Sequence, residues 1–84
     1  MLVAVVKDLA TRYTVDELKR ATEAFEKNRE NTLNVDGGDE GEKLSNLLAA
    51  IEVRTKMDQG VALNEALRHF SQRVRSVFAK PKNG

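Results

Sequence analysis

The chain has 84 residues, with 14 basic and 13 acidic side chains and no cysteine. That length supports one small domain, which buries only about 60% of its unfolded surface, and the missing cysteine excludes a disulfide frame and a thiolate metal cage. An apolar share of 40% beside a charged share of 32% fits a folded, soluble chain, and no unbroken apolar run is long enough to span a membrane.

The opening run Leu2-Val3-Ala4-Val5-Val6 meets Lys7-Asp8 at once, which suits neither a secretory signal nor an interfacial anchor, so a cytoplasmic protein is expected. Leu2, Val5, Val6, Leu9 and Tyr13 recur at the spacing of one helical face. Three valines in the first six residues also suit a strand, but only Thr32–Val35 offers a partner, and helix is the preferred reading. Thr14-Val15-Asp16-Glu17 then reads as a capping box. The second helix follows with Val15, Leu18, Ala21, Thr22 and Phe25 on one stripe and a stop near Asn28.

Residues 30–42 hold five acidic side chains and no basic one, and a Gly37-Gly38 pair marks a loop. Asp39 is a candidate N-cap for a third helix running to about Gln59, with Gly60 at its left-handed stop. A fourth helix is expected from near Leu63, with a core face of Leu63, Ala66, Leu67, Phe70, Val74, Val77 and Phe78, until Pro81 ends it. The sequence therefore predicts an all-α, compact four-helix bundle with the third helix central. One domain covers residues 1–80, and residues 81–84 form a flexible C-terminal tail.

The third helix is apolar on two sides. Leu44, Leu47, Leu48, Ile51 and Thr55 form one stripe, and Asn46, Ala50, Val53 and Met57 form another on roughly the opposite side. Such a helix is either wrapped by its own bundle or shared with another chain. The expectation drawn from it is an interaction surface at Asn46, Ala50, Val53 and Met57 that pairs two copies into a homodimer. A further, unidentified protein partner remains open.

No constellation points to catalysis. The single histidine, His69, has no second His or Cys to join it, and Glu65 at i−4 makes it an ordinary helix-surface residue. An EF-hand starting at Asp36 fails, because Leu47 would fall where a bidentate glutamate is required. The acidic stretch either favours the positive end of the third helix or holds a weak, non-standard divalent ion. Gly41-Glu42-Lys43 does not make a phosphate loop, and Ser45, Ser71 and Ser76 have no general base nearby in sequence. No catalytic residue, metal ligand or cofactor is assigned.

The last helix is basic, and Arg68, Arg73 and Arg75 supply the alternative reading, a weak nucleic-acid contact. A pI of about 8.1, the lack of stacking aromatics on that face and the absence of a known binding motif weigh against it.

Asp39-Glu40-Gly41-Glu42-Lys43-Leu44, Ala50-Ile51-Glu52-Val53, Met57, Gly60, Glu65-Ala66-Leu67, Phe70 and Arg73-Val74 resemble a family of short uncharacterised bacterial proteins built on a domain of unknown function. Val5-Val6-Lys7-Asp8-Leu9 is a looser match. The resemblance implies a bacterial source and a cytoplasmic helical fold, and it carries no known catalytic residue.

Overall fold

The computed structural model describes the backbone of residues 3–78 and the side chains of residues 3–72. Four helices follow one another: α1 (Val3–Arg12), α2 (Val15–Asn28), α3 (Glu40–Asp58) and α4 (Leu63–Phe78). No strand occurs among the described residues, so the valine-rich opening is helical from Val3 onward. α1, α2 and α4 each pack on α3, and α1 also touches α4. The third helix is central, as its two apolar sides predict.

α1 turns Val6, Leu9 and Ala10 into the core, with Val5 and Tyr13 packed at its edge. α2 starts on the predicted capping box. The Glu17 N–H donates to Thr14 Oγ1 at 3.2 Å, and the Thr14 N–H donates to Glu17 Oε1 at 2.9 Å. Leu18, Ala21 and Phe25 are buried on its inner face. Thr22 is buried beside them, and its hydroxyl donates to the Leu18 carbonyl at 2.8 Å, so no polar group is stranded there.

α2 ends at Asn28, and Arg29 follows in the left-handed region at φ 59°. The acidic connection beyond it is fixed by side-chain amides. Asn31 brackets Val35, accepting its N–H at 2.8 Å and donating to its carbonyl at 2.9 Å, while Asn34 takes φ 52° between them. Val35 thereby reaches the core, where it is buried. Gly37 lies against the start of α3, where an added Cβ would sit 2.9 Å from the Lys43 nitrogen, so only glycine fits. Asp39 caps α3, accepting the Glu42 N–H at 2.8 Å.

Gly60 closes α3 at φ 99°. Its N–H donates to the Met57 carbonyl and that of Val61 to the Lys56 carbonyl, both at 3.0 Å, the pattern of a left-handed helix stop. Ala66 and Leu67 of α4 are buried, and Phe70 packs against the core. The predicted core positions Val74, Val77 and Phe78 fall on side chains outside the described residues, as does the whole of the tail after Pro81.

The two left-handed positions give opposite tests. Gly60→Ala places a Cβ where the backbone disfavours one and should cost about 1 kcal/mol, lowering Tm by about 4–8 °C. Arg29→Gly removes the same penalty and should raise Tm, by a few degrees at most because the unfolded chain gains freedom. Thermal unfolding followed by circular dichroism reads both.

Candidate interaction surface

The structure relocates the expected surface. Asn46, Ala50 and Val53 are fully buried within the single chain, and Met57 is half-buried against the same core. Asn46, Ala50 and Val53 therefore present no face to a second molecule, and Met57 is left only partly accessible. The physical reason lies in the centrality of α3. Three helices close on one rod, and interaxial distance is set by the side chains between them. Asn46, Ala49, Ala50 and Val53 recur at i, i+3, i+4 and i+7, and their small size lets the neighbours approach. The bulkier stripe is displaced outward. Of Leu44, Leu47, Leu48, Ile51 and Thr55, only Leu47 is fully enclosed.

Asn46 has a different task from the one predicted. It is completely buried, and its Nδ2 donates to the Asp36 carbonyl at 2.8 Å, tying the acidic connection to the middle of the bundle. A buried amide without that partner would carry an unmatched desolvation cost.

Sequence reading also missed Arg54. Its Nε donates to Asp58 Oδ1 at 2.9 Å, and its Nη1 reaches the Ala10 and Tyr13 carbonyls at 3.1 and 3.3 Å. A cation from α3 thus satisfies carbonyls at the C-terminal end of α1, where the helix dipole favours positive charge. The Arg54–Asp58 spacing of four residues was the visible signal; the partners in α1 were not.

The outer side of α3 is the surface that remains. Leu48 is half exposed, Ile51 is partly so, and together they form a ridge. A groove lies on each side of it. One, of about 580 Å³, runs along α2 past Asp16, Lys19, Arg20, Glu23 and Glu26. The other, of about 320 Å³, is lined by Glu52, Thr55, Lys56 and Gln59. Both grooves share Leu48 and Ile51 as their common wall. Charges of both signs alternate around the ridge, so the face carries no strong field of either sign.

The alternative basic site is placed only in part. Arg68 is exposed on α4, as is His69; the Arg73 and Arg75 side chains lie outside the described residues. The carboxylates of the acidic connection do not gather with others, and no group of three His, Cys, Asp or Glu among the described residues could hold a metal ion. No helix among those residues is long and apolar enough to cross a membrane.

A family model matches residues 1–78, nearly the whole chain. The chain belongs to DUF6952, a family of unknown function. The match covers all four helices, so the resemblance carried by the Asp39–Leu44 and Ala50–Val53 segments extends through α1 and α2 as well. No curated protein and no solved structure matches the chain. Membership in DUF6952 therefore brings no activity to any residue, and the reading below rests on geometry.

Replacing Asn46 tests its role inside the bundle. Asn46→Ala leaves the Asp36 carbonyl without its donor and opens a small void, and should cost about 2–3 kcal/mol. The urea midpoint should fall accordingly. Amide exchange should speed up first at residues 33–37, while α2 holds its protection.

Proposed function

We propose that this DUF6952 chain is a non-enzymatic helical protein–protein interaction module that pairs with a second copy of itself through the outer face of α3. The observation that carries the reading is the Leu48–Ile51 ridge set between two grooves. A ridge with a groove beside it is its own complement under a two-fold axis. Each Leu48 then enters the groove next to the other's Leu48, and each residue contacts its reciprocal partner. The alternating charges of Lys19, Arg20, Glu23 and Glu26 along the rim suit a copy of the same surface better than a polyanion.

A small core strengthens the argument. A domain of this length has little apolar area to bury alone, and a homodimer adds to it without lengthening the chain. The non-enzymatic part of the proposal is supported by the chemistry present: no cysteine, and one histidine on an exposed turn of α4. A cytoplasmic setting in a bacterial cell completes the proposal.

Sedimentation equilibrium across about 1–200 µM tests it. Pairing should appear as a mass rising toward the dimer with concentration. Leu48→Glu should hold the chain at monomer mass while its far-ultraviolet circular dichroism stays unchanged, because Leu48 already stands half in solvent. Val53→Glu is the contrast: with Val53 fully enclosed, that change should unfold the chain. A wild type that remains monomeric throughout refutes the pairing. Salt-sensitive binding to nonspecific DNA by that monomer would turn the assignment toward the basic face of α4.

A further inference from the structure

The acidic connection contains one dipeptide whose chemistry self-pairing does not use, Asp36-Gly37. An aspartyl residue followed by glycine can close on itself. The Gly37 nitrogen, losing its proton, attacks the carboxyl carbon of Asp36; water leaves, and a five-membered imide joins the two residues. Water then opens the ring at either carbonyl. One opening restores aspartate, and the other leaves isoaspartate, in which the main chain runs through the side-chain carbons. No atom is gained or lost overall, and no oxidant or reductant takes part. Glycine favours the attack because no side chain shields its nitrogen.

Both reacting groups are available. Asp36 is exposed, and among the described residues no hydrogen bond or ion pair engages its carboxylate or the Gly37 N–H. Glycine is also required at 37, because the start of α3 leaves no room for a Cβ there. What opposes ring closure is the main chain. A planar imide eclipses the Asp36 Cβ with the Gly37 nitrogen, and the ψ this demands lies outside the regions that L residues populate. The 36–37 peptide must turn, yet its carbonyl is the atom that the fully buried Asn46 holds at 2.8 Å. Asn31 brackets the residue before it. Reclosure after isomerisation is opposed in turn. The former carbonyl would meet the buried Asn46 as a free carboxylate, and a chain one methylene longer would have to pass where even a Cβ on Gly37 does not fit.

We propose that Asp36-Gly37 is a site of spontaneous isoaspartate formation gated by the Asn46–Asp36 hydrogen bond. The closed connection suppresses the reaction, local opening permits it, and the product stays open. The reaction is independent of self-association, since none of these residues borders the Leu48–Ile51 ridge.

Trypsin cuts after Arg29 and Lys43 and releases residues 30–43 as one peptide, whose aspartate and isoaspartate forms have equal mass and separate by chromatography. The full chain and synthetic peptide 30–43 are incubated side by side at one mildly acidic pH, below the melting range of the chain. The peptide should accumulate isoaspartate at position 36, and the folded chain should do so at least about ten-fold more slowly. Asn46→Ala should accelerate the full chain by about ten-fold or more. Asn31→Ala loosens the same connection from its other side and serves if Asn46→Ala does not fold. Gly60→Ala lowers stability elsewhere and should leave the rate within about two-fold of wild type, as local opening requires. A wild-type chain that reacts as fast as the peptide would overturn the proposal. So would loosened variants that keep their helicity and react no faster, acceleration by Gly60→Ala, or isoaspartate at another position of the peptide.

Discussion

Everything in this bundle depends on three helices sharing α3. A helix approached from one side can carry leucine along its contact stripe. A helix approached from three sides must be narrow wherever its neighbours converge. α3 meets that constraint with Asn46, Ala49, Ala50 and Val53 on the crowded arc and places Leu48 and Ile51 at the margin. The exposed ridge and the packed interior are therefore two results of the same geometry. Of the large side chains on that stripe, Leu47 is enclosed, while Leu48 and Ile51 form the relief on the outside.

The same crowding explains the polar residue at the centre. Asn46 is small enough for the arc and carries a donor long enough to meet the Asp36 carbonyl of the connection. With Asn31 holding Val35 and Asp39 capping α3, a stretch rich in acidic residues and glycine becomes a turn with a defined path. Its carboxylates stay at the surface while its main chain is tied inward. Charge and order are carried by different atoms of the same residues.

Much of this was legible in one dimension. The capping box at Thr14–Glu17, the Asp39 cap and the glycine stop at Gly60 each rest on interactions spanning a few residues, and each is where local chemistry puts it. The four helices follow from the same short-range rules. What misled was the polarity of α3. Its two stripes were visible, but which one faces inward depends on how many neighbours press on it, a property of the assembled bundle. Bulk pointed to Leu44–Leu48–Ile51, whereas packing chose the smaller set. Arg54 shows the same limit, since its carbonyl partners in α1 lie more than 40 positions away. The outer ridge could have been found only by first recognising the Asn46–Ala49–Ala50–Val53 spacing as a close-approach seam.

Arg54 also orders events during synthesis. α1 leaves the ribosome before α3, so its last carbonyls wait for a guanidinium encoded 41 and 44 residues later, and its apolar face waits for α3. At about 5–20 residues per second that is an interval of roughly 2–9 s in which the first helix has no docking site. A segment as short as α1 is marginal alone in water. α1 therefore waits for α3 before it is stably structured, and its apolar face stays uncovered until the middle of the chain arrives.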